Sequence, residues 1–287
     1  MSRKWNAYPH ARSGFDFSDA ALRKNWARLH RGDCEPLPSA EWVEEAFDAA
    51  PAAAKSAGKL GADPARVAQE LQEAWRAFHR GDYQAACDKG LALGVIGYTV
   101  ADKAVSMYAT FLEPDKKARL ALFGQAAERS EAARKAMPAH ANAHYLVAYC
   151  LGRHSQGSSV LEAITKGVAG RVKEALERTL KLEPRHADAH TATGTYHAEV
   201  IDKVGALVGG LTYGANAADA LSHYRKALAL NPDSAIARVE YARGLLLLDD
   251  DKQSNAKKLL AEAAKLKPGD ATERLDVELA SARLAAL

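Results

Sequence analysis

Four histidines form two pairs, each spaced four residues apart, at equivalent places in the chain. His140 and His144 make one pair, and His186 and His190 make the other. Imidazoles at this spacing lie on one face of a helix, which is the geometry of helical zinc sites. No glutamate follows in an H-E-x-x-H arrangement, and such histidines also cap helix starts or pack between helices. We therefore expect no metal and no cofactor, and His186 and His190 are the positions to test for one.

The motifs of common catalytic and nucleotide-binding sites are missing from the sequence. Neither G-x-x-x-x-G-K-[ST] nor G-x-S-x-G occurs, which argues against a phosphate-binding loop and a nucleophile elbow. Cys34, Cys87 and Cys150 lie far apart without C-x-x-C spacing, which argues against a disulfide framework and a zinc ribbon. We expect a protein without enzyme activity in a reducing cytoplasm.

The histidine pairs recur because the sequence around them recurs. Three related segments, AHANAHYLVAY, RHADAHTATGTYH and SAIARVEYARGL, begin at residues 139, 185 and 234. An Ala-rich amphipathic stretch follows each segment and closes on Pro184, Pro232 or Pro268. Units of this kind are helical hairpins that bury their apolar faces only by stacking on one another. The sequence therefore predicts an all-α solenoid of helical hairpins.

Small residues mark the crossing of the two helices in each hairpin. Ala148, Gly194 and Ala242 take the same place in the three repeats. The first two repeats are longer than the third and carry apolar insertions at about 152–170 and 199–216. Long loops in compact arrays are usually functional or disordered, and the valine and leucine content argues against disorder. We expect two enlarged repeats whose lengthened helix ends fold over one open side of the repeat array.

The first half of the chain carries a weaker form of the same pattern. NWARLHRGDC and AWRAFHRGDY both end a helix at a Gly-Asp corner, where Asp33 and Asp82 should cap the next helix. We expect degenerate repeats over 1–126, regular repeats over 127–269 and a capping helix over 270–287, with a flexible segment at 51–63. The upstream helices are predicted over 18–31, 39–50, 64–80, 82–94, 98–112 and 115–137.

The first helix of each repeat carries side chains that should face the concave side of the array. These residues are Tyr145, Tyr149, Thr191, Thr195, Val239, Glu240 and Arg243. Tyrosines beside threonines offer both apolar contact and hydrogen bonds, which is the mixture expected of a recognition surface. The alternative is that the tyrosines pack between repeats. We expect a groove that binds a protein or peptide partner, as a scaffold or adaptor does.

The insertions carry apolar residues that suit a second kind of ligand. Val160, Leu161 and Ile164 lie in the first insertion, and Val204, Leu207, Val208 and Leu211 lie in the second. They could line a pocket for an acyl chain or an apolar peptide, or they could fill space between the enlarged helices. The alternative function is therefore a carrier or sensor of a lipid or another apolar small molecule.

Charge and hydropathy exclude other classes of partner. The chain has 39 Lys and Arg against 36 Asp and Glu, a net charge of +3, and the two signs are interspersed, so we expect no nucleic-acid surface. No apolar run reaches the length of a transmembrane segment, and the first residues lack the apolar core of a secretory signal. These features agree with a cytoplasmic location.

The repeats resemble those of tetratricopeptide-repeat proteins. More narrowly, residues 127–287 resemble the repeat domain of the regulator of microtubule dynamics protein family, through the segments AHYLVAYCLGR, VKEALERTLKLEPRHADAH, GTYHAEV and ALSHYRKALALNP. The resemblance implies a tetratricopeptide-like solenoid with two enlarged repeats side by side. It also implies protein contacts, lipid binding in the groove of some members, and no enzyme activity. The membrane anchor of some members is not expected here.

Overall fold

Helices are the regular secondary structure of the part of the chain that the structure describes. The computed structural model describes residues 4–11, 14–157, 167–249 and 252–287, and none of these residues forms a strand. The predicted all-α class is confirmed. The helices are α1 (Asp19–Leu29), α2 (Ala40–Ala49), α3 (Pro51–Ser56), α4 (Pro64–His79), α5 (Tyr83–Ala92), α6 (Tyr98–Phe111), α7 (Lys116–Ala136), α8 (Ala141–Gly157), α9 (Val168–Leu182), α10 (Ala187–Val204), α11 (Ala206–Tyr213), α12 (Ala217–Leu230), α13 (Ala235–Leu248), α14 (Gln253–Ala263) and α15 (Ala271–Ala285).

Side-chain caps explain where many of these helices begin. The side chains of Ser39, Asp115 and Ser234 each accept a hydrogen bond from a backbone N–H three residues later. Such caps satisfy donors that the first turn of a helix leaves unpaired. The upstream helices predicted from the sequence are confirmed to within a few residues at each end.

Two local expectations for the first half of the chain are wrong. The flexible segment expected over 51–63 instead forms α3, which starts at Pro51, and a 3₁₀ turn over Gly58–Ala62. Asp33 does not cap the next helix, because its carboxylate lies 2.9 Å from His30 Nδ1 and Ser39 caps α2. Pro51 favours the start of α3 because proline preorganises the first turn of a helix. Asp33 does not cap α2 because its carboxylate contacts His30 instead.

The contacts divide the chain into two compact units. Unit 1 comprises Met1–Arg28 and Glu35–Gly157, and unit 2 comprises Leu29–Cys34 and Ser158–Leu287. This division falls after Gly157, so the predicted start of the regular repeats at residue 127 lies within unit 1.

Unit 1 is a run of helices in which α4 to α8 each pack against the next one in the chain. Its core holds Trp75, Phe78 and Tyr108, which are almost fully buried. A buried ion pair joins α6 to α7, because Asp102 accepts hydrogen bonds from Arg129 Nε at 2.7 Å and from Ser130 Oγ at 2.9 Å. The unit therefore combines an aromatic core with a paired internal charge.

Unit 2 contains the helical hairpins of the second and third repeats. Helix α10 packs against α12 and α13, and α13 packs against α14 and α15. Val239, Leu260 and Ala280, from α13, α14 and α15, belong to one apolar cluster. The segment Leu29–Cys34 joins this unit, since the Asp188 N–H donates to the Gly32 carbonyl at 2.9 Å. Helix α15 packs against both α13 and α14.

Candidate functional site

The centre of unit 2 is the ring of Tyr224, which fills a slot between two helices. Tyr224 is 1% exposed, and its O–H donates to Thr195 Oγ1 at 3.1 Å. The ring lies against Gly194 of α10 and Gly244 of α13, where a Cβ would come within 2.9 Å and 2.6 Å of ring carbons. Tyr241 stacks on the Tyr224 ring, with centroids 4.9 Å apart. This packing fixes α10, α12 and α13 relative to one another.

A line of ion pairs runs across α10 and α13 beside this slot. Arg243 donates to Glu240 at 3.3 Å and also to Glu199, and Lys203 Nζ lies 3.7 Å from the second oxygen of Glu199. Both carboxylates are largely buried, whereas the two cations reach solvent. Each carboxylate therefore has a cation that compensates its burial, and the line reaches into the second insertion at Lys203.

Helix α11 is a separate element that the second insertion adds to the repeat. Gly205 breaks α10 from α11 with φ +81°, a backbone conformation that favours glycine. Leu207, Val208 and Leu211 are 76%, 49% and 83% exposed. They make up most of the large apolar side chains that the described residues expose. The insertion was expected to lengthen the helix ends, and it does extend α10, but it then forms its own short helix.

The carboxyl end of α11 is held to α10 by polar contacts. The Tyr196 O–H donates to the Tyr213 carbonyl at 3.0 Å, and the Asn216 N–H donates to His197 Nδ1 at 3.2 Å. Asn216 in turn caps α12 through Ala218. One face of α10 therefore positions both the exposed helix and the start of the next one.

His197 belongs to a cluster of three histidines. His190 Nδ1 lies 2.9 Å from His223 Nδ1, and the His197 and His223 ring centroids are 6.1 Å apart. Because His190 Nε2 faces the Pro184 carbonyl at 3.1 Å, that nitrogen carries the proton and Nδ1 accepts from His223. Burial lowers the pKa of His190 and of His197, and burial together with these neighbours lowers the pKa of His223 to about 4. The cluster is neutral at pH 7.

His186, the other metal candidate, caps a helix. It is fully buried, and its Nδ1 accepts the Ala189 N–H at 3.0 Å, in the place that Ser234 takes in the next repeat. Within the described ranges, no group of three or more His, Cys, Asp or Glu residues is arranged to hold a metal ion. The geometry of His186 matches the capping alternative considered for the sequence.

The two tyrosines of the expected groove lie in unit 1. Tyr145 is 8% exposed and packs near Tyr149, with ring centroids 6.0 Å apart. Tyr149 is half-buried, lies under the Arg153 guanidinium at 5.2 Å and has its hydroxyl 3.5 Å from Thr110 Oγ1. Tyr145 therefore presents little surface to a partner, because it packs as a core residue, whereas Tyr149 presents part of its ring.

The other five groove residues lie in unit 2 and differ in exposure. Thr191 and Val239 are buried, and Thr191 Oγ1 donates back to the Ala187 carbonyl. Glu240 is buried as well, and a partner-binding groove formed by these residues stays a prediction. Thr195 accepts a hydrogen bond from Tyr224, and Glu240 and Arg243 belong to the line of ion pairs described above.

The expected apolar pocket is only partly within the described structure. Val160, Leu161 and Ile164 lie outside the described residues. Val204 is half-buried, whereas Leu207, Val208 and Leu211 face solvent. An enclosed pocket wall would be covered on its inner side, and a pocket lined by both insertions stays a prediction.

Sequence reasoning missed Glu199 and His223. Glu199 follows Thr195 by four residues, so the helical period that selected Thr195 also places Glu199 on the same face. His223 carries no such signal, because its contact with His190 joins residues that are 33 positions apart.

Comparisons with known proteins agree with this architecture. A thermophilic tetratricopeptide-repeat protein of Thermus thermophilus, known from its crystal structure, superposes with a TM-score of 0.53 at 17% identity. The superposition covers 75% of this chain and 99% of that one, and it shows a tetratricopeptide-like helical-repeat fold. No curated protein sequence matches the chain significantly.

A family model described as regulator of microtubule dynamics protein 1-3 matches residues 99–284. The match includes both enlarged repeats and begins upstream of residue 127, where the sequence resemblance was expected to start. In the described residues, no helix combines the length and the hydropathy needed to cross a membrane. The chain belongs to the regulator of microtubule dynamics protein 1-3 family.

Proposed function

We propose that the protein is a non-enzymatic scaffold or adaptor that binds a partner protein through unit 2. The observation that carries this proposal is α11, a helix that presents Leu207, Val208 and Leu211 to solvent. Exposing apolar side chains to water costs free energy, and binding of a partner that covers them removes this cost. The helical-repeat fold supports the same class of function, since such arrays bind partners on preformed surfaces.

The polar part of the proposed surface is the ion-pair line of Glu199, Glu240, Arg243 and Lys203. Lys203 is two residues from Gly205, so the line and α11 are continuous along the chain. Interfaces combine an apolar centre with a polar rim. Because the paired side chains hold one another in fixed positions, they favour a partner with complementary charges. Of the groove residues expected from the sequence, Glu240 and Arg243 take part.

The state of the cysteines supports a function without thiol catalysis. Cys34, Cys87 and Cys150 are free, and burial raises the pKa of each thiol to about 12. Thiols with such values stay protonated at neutral pH and are poor nucleophiles. Free thiols also agree with the reducing cytoplasm that we propose as the compartment.

The alternative of a carrier for an apolar small molecule has less support. A carrier encloses its ligand, whereas Leu207 and Leu211 project outward. A projecting apolar helix is better suited to a partner that offers a groove for it, a common mode of helix recognition.

Photo-crosslinking tests the proposal. A photoreactive phenylalanine analogue at position 207 or 211 should crosslink one protein in cell extract, and the same analogue at Leu91 in unit 1 should not. Leu91 is also an exposed apolar residue, so it controls for nonspecific hydrophobic binding. Crosslinks to lipid alone, or equal crosslinking from all three positions, would contradict the proposal.

A further inference from the structure

Residues 4–11 lie along unit 1 in a non-helical conformation, although they are surrounded by helices. The Trp5 N–H donates to Gln84 Oε1 at 3.0 Å, and the Asn6 N–H lies 3.4 Å from the Tyr108 hydroxyl oxygen. The Asn6 side chain donates to the Leu112 carbonyl at 2.9 Å. The segment is thus held through its backbone and one amide, as an extended peptide is held by a binding protein.

Two aromatic rings anchor the segment between these hydrogen bonds. The Trp5 indole stacks on Tyr108, with centroids 4.2 Å apart and planes 12° apart. Tyr8, three residues later, is 5% exposed, whereas Asn6 and Ala7 between them are exposed. The half-buried Trp5, the buried Tyr8 and the exposed link between them form the pattern W-N-x-Y. Aromatic anchors of this kind carry most of the affinity of many peptide interfaces.

The receiving surface is held in place by its own contacts. The Tyr108 O–H donates to Glu113 Oε2 at 2.9 Å, and Glu113 Oε1 accepts the Asp115 N–H at 3.0 Å. These bonds join residues of the receiving surface to one another, so they do not require the segment. A surface that keeps its shape when the segment leaves is preorganised for another peptide.

We propose that Gln84, Tyr108 and Leu112 form a peptide-binding site for an extended segment with aromatic residues at its first and fourth positions, which Trp5 and Tyr8 occupy in cis. A partner peptide of the same pattern binds there by displacing residues 4–11. This site lies in unit 1 and is independent of the partner surface proposed in unit 2. Covalent attachment gives the cis segment an effective concentration on the order of 1 mM. A free peptide with a dissociation constant near 100 μM, an order-of-magnitude value, would therefore bind the intact protein about tenfold more weakly.

The test uses the full chain and a fluorescent peptide with the sequence of residues 4–11. The Trp5→Ala/Tyr8→Ala double variant should bind this peptide about tenfold more tightly than the wild type by fluorescence anisotropy. Adding Gln84→Ala should weaken that binding on the order of fivefold, as expected for the loss of one hydrogen bond. Adding Gln125→Ala, at an exposed position of α7, should leave it unchanged. Equal binding to wild type and double variant, or no binding to the double variant, would overturn the proposal.

A second measurement needs no substitution. Hydrogen–deuterium exchange on the wild type should show faster exchange at the Trp5 and Asn6 amides when excess unlabelled peptide is added, because those N–H groups lose their acceptors. A peptide with both aromatic residues replaced by alanine should have no effect. Unchanged exchange at saturating peptide would overturn the proposal even if the double variant does not fold.

Discussion

Gly194 is the position where a small change should most directly disturb the packing of α10 on α12. A Cβ at this position would lie 2.9 Å from Tyr224 Cδ1 and Cε1, and 3.0 Å from the Ala220 carbonyl oxygen. Both neighbours are buried, so neither yields without moving α12. We expect Gly194→Leu to lower the free energy of unfolding by about 3 kcal/mol, at the upper end of overpacked core substitutions.

Gly194→Ala separates the effect of the Cβ from that of a long side chain. Alanine gains about 1 kcal/mol in helix propensity over glycine, and overpacking costs about 1 to 3 kcal/mol. The net expectation is a loss of about 1 kcal/mol. Gly170→Ala is the control, because Gly170 lies exposed in α9 with nothing within 4 Å of its Cβ position. It should raise stability by up to about 1 kcal/mol.

Urea denaturation followed by circular dichroism measures these differences. A double-mutant cycle with Tyr224→Ala adds a direct test of the contact, since Gly194→Leu should cost clearly less once the ring is gone. The reasoning is refuted if Gly194→Leu unfolds like the wild type, or if it costs the same with and without the Tyr224 ring.

Two further predictions concern the polar contacts of unit 2. Because the pKa of His190, His197 and His223 is lowered in the folded state, the unfolded chain binds more protons than the folded chain at acidic pH. Stability should therefore fall as the pH drops from about 6.5 towards 4. In urea titrations at each pH, His223→Gln should lose less stability than the wild type over this window. An equal loss would exclude the histidine cluster as the source of the pH dependence. Arg243→Ala removes the cation that Glu199 and Glu240 share, so it should destabilise by about 1 to 2 kcal/mol. Lys203→Ala removes only a longer contact of 3.7 Å to Glu199, so it should cost less than about 1 kcal/mol, and equal costs would contradict the importance of the Arg243 hydrogen bonds.

The sequence was informative wherever a local period decides the structure. The helix boundaries upstream of residue 137 follow from apolar spacing, capping residues and prolines, all of which act within a few positions. The close approach at Gly194 also follows from its place in the repeat, since a stacked hairpin needs a small residue there.

Exposure and long-range contacts could not be predicted in the same way. Tyr145 and Thr191 are on the expected helices, but the helices packed against them bury both side chains. The separation of α11 from α10 depends on the backbone of Gly205, and glycine permits a break without requiring one. The stacking of Trp5 on Tyr108 joins distant parts of the chain and leaves no periodic signal.

The central claim is that the apolar face of α11 binds a partner protein. The most direct test is isothermal titration calorimetry with the purified partner that photo-crosslinking identifies. It compares the affinity of the wild type with that of Leu207→Asp/Leu211→Asp. The double variant should bind at least about 100-fold more weakly, since each substitution removes a large apolar contact worth roughly 1.5 to 3 kcal/mol and introduces a charge. Thr212→Asp adds a charge at another exposed position of α11 and should retain affinity within about threefold of the wild type. Wild-type affinity in the double variant would contradict the claim.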